Sequence, residues 1–488
     1  MPGRWCVMRM GVSKGPLIRV QTAGWRHGRG GRMVEVGGYR AVARCDALRR
    51  PPFSEAADSL FRPYLSEAHR ATLAQLREWM EAAGMAVRLD PVGNLIGRYE
   101  AATIPPQLAG EGDRTMRAAR DAVVGADSDV NPTPRRSAGT SPEIRGGAKS
   151  LILASHIDSV RDAGAYDGPL GVMLAIDVVA ALHAQKKRLP FAIDLYAFGD
   201  EEGSRFPASM LCSRAVCGQV ERAQLDVADR DGISLARALS DFGLDIERFT
   251  DACRDPSELI GYVEAHIEQG PVLEAEGLAL GVVTAIACQR RYAVTVTGVA
   301  GHAGTNSMAL RRDALTAAAE MALAVETVGR AGPDDLVATV GRFNVAPNAP
   351  NVVPGEVVFT IDVRAGEEAP RNVAAEAILS RIEAIAAARG VTVAHQLIHD
   401  LPAAPCDPSM MDFLSQAVRK AGHTPRRLVS GAGHDAMAFA GVTPTAMLFI
   451  RCKDGISHNP LEAVEPADAE AAFQALLGLV LKLGEASA

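Results

Sequence analysis

The chain has 488 residues, 48% hydrophobic and 22% charged, with a formal net charge of −7. That length predicts two to four domains at roughly 100–200 residues each, with a core large enough to stand without disulfides. The acidic balance argues against a nucleic-acid binder, and the lack of any apolar run of about 18 residues argues against a transmembrane span.

The charge is uneven: residues 1–50 carry 11 Lys/Arg against 2 Asp/Glu, and the rest 40 against 56. The opening run has no apolar h-region, so it is not a secretory signal. Residues 1–50 read as a basic N-terminal extension, disordered at least to 32, with Met33 as an alternative start. Gly28-Arg29-Gly30-Gly31-Arg32 leaves a basic nucleic-acid tail as an alternative. Residues 54–84 read as a helix ending at Gly84, and 85–99 as two strands about a Val92-Gly93-Asn94 turn. Residues 101–149 hold no Phe, Trp or Tyr and are rich in Pro, Gly, Arg, Asp and Ser, the composition of a mobile insertion. From 150 the texture changes to buried strand (KSLILASHIDS), apolar helix (169–185) and buried strand (FAIDLYAFGD), which implies a parallel α/β sheet.

From 285 the strands alternate instead. RRYAVTVTGVA, a helix over 308–328, LVATVGRFNVAP, EVVFTIDVRA, a helix over 367–389 and VTVAHQLIH follow the order β-α-β-β-α-β, the ferredoxin-like pattern. The buried texture returns near 403, with a helix over 408–421, the loop SGAGHDAM, the strand TPTAMLFIRC and a helix from 466. The division is therefore an α/β unit over 51–284 and 403–488, interrupted by an α+β unit over 285–402.

Most of the 11 histidines need no special role. His27, His69, His183, His395 and His399 fall in the extension, on helices or by an edge-like strand. His156 follows the strand LILAS, and period 2 puts Asp158 on the same face, where a carboxylate orients a metal-ligating imidazole. Taken alone, the pair reads equally as a buried His and a capping Asp. Asp167 ends the same strand-to-helix loop, where open α/β sheets place ligands. Gly199-Asp200-Glu201-Glu202-Gly203 ends the next strand, and its adjacent carboxylates point to different sides, one toward a metal and one toward a substrate. An exposed acidic turn is the other reading. His266 and His458 complete a set of three imidazoles and two carboxylates with Asp167 and Glu202. Mixed N/O ligation without thiolates suits Zn²⁺, Mn²⁺ or Co²⁺ in a reactive rather than structural site. The eight cysteines form no CxxC pair and read as reduced thiols of a cytoplasmic protein.

SHIDSV, YDGPLGV, DEEGSRF, HIEQGPVLE, QRRYAVTVTG, GHAGT, ALRRDAL, PNAPNVVPG, SGAGHDAM and DGISHNP occur in this order. In these motifs the sequence resembles the two-metal amidohydrolases that include N-carbamoyl-L-amino-acid hydrolases, β-ureidopropionases and allantoate amidohydrolases, within the clan of metal-dependent aminoacylases and carboxypeptidases. The resemblance runs from about 54 to the end, apart from 101–149. It implies a metallo-aminopeptidase-like catalytic domain with a mixed sheet, interrupted by a lid that also dimerises. It implies one divalent ion on His156, Asp167 and His266, and a second on Asp167, Glu202 and His458. Glu201 would be the general base, Asp158 would orient His156, and His302 on the lid would stabilise the oxyanion. Asn351 and Arg364 would clamp a substrate carboxylate, and Gln269 would contact the substrate. Around His302 the run Gly301-His302-Ala303-Gly304-Thr305-Asn306-Ser307 departs from the family's usual Asn before the histidine and Thr-Pro after Gly-Thr. FGDEEGSRFPASM and FIRCKDGISHNP are closest to the allantoate branch, a step of purine catabolism. N-carbamoyl-L-amino acids and β-ureidopropionate are the alternative substrates, and a non-catalytic scaffold the alternative class.

Overall fold

Two sheets organise the described residues, 35–102 and 148–487, of this computed structural model. The expectations for residues 1–32, and for 101–149 apart from its ends, lie outside those residues. The larger sheet holds β1 (Ala86–Leu89), β2 (Leu95–Tyr99), β3 (Ser150–His156), β4 (Ala192–Phe198), β5 (Leu259–Ile267) and β6 (Leu280–Ile286). The smaller holds β7 (Cys288–Thr297), β9 (Val337–Ala346), β11 (Glu356–Ala365) and β12 (Thr392–Leu401), while β8 (Gly301–His302) and β10 (Val352–Val353) pair as a separate ribbon. After them β13 (Ala404–Pro405), β14 (Arg426–Ser430) and β15 (Thr445–Ile450) rejoin the larger sheet.

The path of the large sheet is β1-β2-β4-β3-β5-β15-β6-β13, with β14 beside β6. Its centre, β4-β3-β5-β15, is parallel, and its flanks are antiparallel apart from β14, which runs parallel to β6. The central strands are buried end to end, as their unbroken apolar runs require. This is the expected α/β body with a mixed sheet. The strand around His266, which no local sequence signal marks, is β5, at the middle of the sheet, with Tyr262 and Glu264 bonded to each other.

Helices α1 (Gly38–Ala47), α2 (Glu67–Ala82) and α3 (Pro169–Ala184) precede the insert. Apolar on every side, α3 is buried on nearly every side, against β3, β4 and β5. It begins at Gly168, whose φ of 83° and whose close approach to His156 both demand glycine: a Cβ there would lie 2.4 Å from the imidazole. Two expectations are corrected. Helix α2 starts at Glu67 rather than 54, because Ser66 caps it by accepting from His69 N–H and Pro63 precedes the cap. The basic extension ends before residue 38 rather than at 50, because Arg40 and Arg44 on α1 pair with Asp177, buried on α3. That pairing seats Ala41, Val42 and Cys45 in the main core.

The inserted unit has sheet order β12-β7-β11-β9, antiparallel throughout. Counted within the unit, this is 4-1-3-2, the ferredoxin-like order. Helices α4 (Ala314–Ala331) and α5 (Glu368–Arg389) cover one face over a core of its own. Helix α4 starts at 314 rather than 308, because Asp313 accepts from Leu315 and Thr316 N–H and so caps it. Helices α6 (Pro408–Lys420) and α7 (Pro466–Ala486) then close the body, α7 packing on α1, α3 and α6. No helix among the described residues is long and apolar enough to cross a membrane.

Candidate metal centre and active site

The C-terminal ends of four neighbouring parallel strands carry the polar residues. His156 ends β3, Asp200-Glu201-Glu202 follow β4, His266 lies near the end of β5, and Ser457-His458 follow β15. Register sets them level: His156 faces Phe198, Ala154 faces Glu264, and His266 faces Phe449. Residues three hundred positions apart thus meet at one edge, where open α/β sheets bind ligands.

Two groups of ligand atoms lie within 4.8 Å of one another: His156, Asp167 and His266, and Asp167, Glu202 and His458. Asp167 belongs to both. Its Oδ1 lies 3.0 Å from His266 Nε2 and 3.9 Å from His156 Nε2, and its Oδ2 lies 3.1 Å from His458 Nε2. Glu202 Oε1 is 3.3 Å from His458 Nε2. The donor chemistry fits cations. His266 Nδ1 donates to Ile267 O at 2.9 Å, which leaves a lone pair on Nε2. His156 Nε2 faces it at 3.3 Å, and His156 Nδ1 turns to Asp158 Oδ1, also at 3.3 Å. Lone pairs of two imidazoles and a carboxylate therefore converge inside a buried pocket, an arrangement that a divalent cation stabilises.

Asp158 does more than orient His156. Its two oxygens accept from Glu201 N–H and Glu202 N–H, each at 3.1 Å, so one side chain fixes both the imidazole and the Glu-Glu turn. Burial pushes the Glu201 carboxyl well above the usual carboxylate range. Hydrogen bonds to Asp167 and Glu202 push the His458 imidazole up to about 10.

The structure also gathers residues that were not singled out. Ser457 Oγ donates to Asp167 Oδ2 at 2.6 Å, and Glu462 Oε1 accepts from Tyr166 and Asp167 N–H. His434 stands edge-on to His266 at 4.5 Å between ring centres and bonds Ser430 Oγ through Nε2. Asp200 and Asp435 are fully buried without hydrogen-bond partners among the described residues, and burial raises both carboxyls well above their ordinary range. The motif SGAGHDAM was the available signal for His434 and Asp435, and DGISHNP for Ser457.

The lid residues are placed differently. His302 is exposed on β8, and its Nδ1 accepts from Gly304 N–H. Asn351 lies beside it, its carbonyl accepting from Ala303 N–H. Arg364, at the end of β11, gives Nε and Nη2 to Asp362 and Nη1 to Gly431 O of the body. Gln269, expected to contact the substrate, donates to Asp167 Oδ2 at 3.0 Å.

The model of peptidase family M20/M25/M40 matches residues 152–482. An allantoate deiminase of Arabidopsis thaliana is 36% identical over 473 residues, spanning 90% of this chain and 82% of that protein. An N-carbamoyl-L-amino acid amidohydrolase of Geobacillus stearothermophilus is 34% identical over 407 residues, spanning 83% and 89%. The crystal structure of a hydantoinase/carbamoylase family amidase from Burkholderia multivorans matches with a TM-score of 0.77 at 30% identity, over 92% of this chain and 98% of that one.

Proposed function

The chain belongs to peptidase family M20/M25/M40, and on that premise we propose that it is a metal-dependent amidohydrolase cleaving the ureido C–N bond of a small carboxylate, with allantoate as substrate. The observation that carries the reading is Asp167 standing between two His/carboxylate sets, with Glu201 alongside. The choice of allantoate is supported by the 36% identity to the plant deiminase and by the run FGDEEGSRFPASM. The 34% identity to the Geobacillus enzyme supports N-carbamoyl-L-amino acids as the second reading.

Two divalent ions, zinc or manganese, would be held by His156, Asp167 and His266 and by Asp167, Glu202 and His458. When bound, such ions supply Lewis acidity toward water and carbonyl. Glu201 takes the proton of the attacking water and passes it to the ureido nitrogen that leaves. The C–N bond breaks, giving the amine-bearing acid and carbamic acid, which decomposes to ammonia and carbon dioxide. Asp158 holds His156 and the Glu-Glu turn throughout. His302 donates to the developing oxyanion, and Asn351 and the Arg364 fork hold the substrate carboxylate. In that role Arg364 presents Nη1, since Asp362 occupies its other edge.

His302 makes its hydrogen bond within the lid, and the outer face of the lid sheet is exposed along β9 and β12. Both features support a homodimer formed through the lid. Ammonia release tests the function: allantoate, N-carbamoyl-L-amino acids and β-ureidopropionate are each supplied with Mn²⁺ or Zn²⁺. Release from allantoate above the others is the expected result; no release from any of them removes the reading.

A further inference from the structure

The two proposed ion sites are not equivalent, and the difference lies in what holds Asp167. Among the described residues Oδ1 faces His156 and His266, both about 1% exposed. Oδ2 faces His458, whose side chain is 47% exposed, and takes two further donors from the protein. Ser457 Oγ donates to Oδ2 at 2.6 Å, and Gln269 Nε2 at 3.0 Å. Gln269 Nε2 also lies 3.3 Å from Ser457 Oγ, so its two protons serve the carboxylate and the hydroxyl together. Behind them Glu462, buried, accepts from the N–H groups of Tyr166 and Asp167 at 2.7 and 3.1 Å, and its other oxygen lies 3.3 Å from Ser457 Oγ. A single closed network thus grips the backbone of Asp167 at one end and one oxygen of its carboxylate at the other.

The backbone adopts unfavourable conformations to build it. Gln269 and His458, the neighbour of Ser457, both lie at positive φ, 57° and 54°. For residues other than glycine this conformation is uncommon and persists where the surroundings enforce it.

A carboxylate shared by two ions must hold both oxygens in place, but an aspartate turns about two bonds. Outer groups that fix a ligand typically account for 10–100-fold in metal affinity. We propose that Ser457, with Gln269 and Glu462, is a positioning residue for Asp167, setting the affinity of the Asp167–Glu202–His458 site while leaving the His156–Asp167–His266 site nearly untouched. The proposal rests on the two-ion reading above.

Metal binding itself is the readout. The full chain, as wild type, Ser457→Ala and Ser457→Thr, is stripped of metal and titrated with Zn²⁺ against a chromophoric chelator. Melting of the stripped proteins shows whether each is folded. The wild type is expected to bind two ions with separable affinities. Ser457→Ala should weaken one of them about 10–100-fold and leave the other unchanged. Ser457→Thr, which keeps the hydroxyl, should restore it. Two ions bound with unchanged affinities in Ser457→Ala overturn the proposal and leave the two-ion reading standing. So does a threonine variant no better than the alanine one. A wild type that binds fewer than two ions overturns both.

Discussion

Glu201 and Glu202 are neighbours with opposite tasks in the proposed reaction, and Asp158 holds the turn that separates them. With both backbone amides tied to one carboxylate, the side chains leave the turn in different directions. Glu202 reaches His458, while burial pushes the Glu201 carboxyl above the usual carboxylate range. Glu201→Gln should keep both ions by elemental analysis and lose about 10²–10⁴-fold in kcat. Normal turnover in that variant would take the base role from Glu201. A second residue sets a pH limit on stability. His69 is buried, accepts from Leu65 N–H through Nδ1 and stacks on Phe242. Burial pushes its pKa down to about 3, against 6.5 for the free side chain. Below 6.5 the unfolded chain therefore takes a proton that the folded chain refuses, so stability is full above 6.5 and falls as pH drops toward 3. The slope from this one group is at most about 1.4 kcal/mol per pH unit. His69→Gln, which keeps an acceptor, should flatten the acid limb of urea midpoints measured between pH 4 and 8; an unchanged limb would clear His69 of the effect. The ionisable residues of the site are legible through the ordered family motifs, since His-x-Asp and Asp-Glu-Glu-Gly at strand ends, taken alone, read equally as a capped core histidine and an acidic turn. Ser457 and Glu462 are not, since an ordinary serine becomes notable only through a hydrogen bond to Asp167, 290 positions away.

Each element that carries a site residue is held by contacts remote in sequence. Strand β5 shows why part of the fold could not be read. LIGYVEAHI carries a Glu and a His that dilute the apolar run, and both are buried only because β3 and β15 pair on either side. The helix placed over 54–84 fails at its start for a local reason, the Ser66 cap, which composition over a long window obscures. Helix α1 was hidden by its charge. Arg40 and Arg44 look like a solvated basic tail until Asp177, apolar in every neighbour on α3, supplies their partner. That pairing yields a prediction for the element as a whole. A chain beginning at Glu35 should keep its activity and melting temperature. One beginning after Leu48 strips Asp177 of Arg40, Arg44 and the Gly37 N–H, and removes Ala41, Val42 and Cys45 from the core they fill. The melting temperature should drop by several degrees or more, and equal melting of the two truncated forms would show that α1 is dispensable.

Body and lid are joined by short crossings, Ala287 between β6 and β7 and residues 402–403 between β12 and β13, so few bonds set the pose of one against the other. Arg364 is the cross-link of interest. Its guanidinium is anchored on the lid by Asp362, which Arg291 also grips, and reaches the body through Gly431 O. In the proposed reaction the same Nη1 edge meets the substrate carboxylate, so binding and lid pose are coupled through one side chain. Lysine keeps the charge but has no planar guanidinium that can hold Asp362 on one edge and present Nη1 on the other. Arg364→Lys should raise KM about 10–100-fold, the equivalent of one charge-assisted hydrogen bond at about 1.5–3 kcal/mol, with kcat less affected. A general loss of lid packing would give the same number, so the control is a substrate whose carboxylate is replaced by a carboxamide. The parent enzyme should favour the acid strongly, and Arg364→Lys should favour it far less. If both enzymes discriminate equally, the carboxylate is recognised elsewhere, and Arg364 serves only to tie the lid to the Gly431 loop.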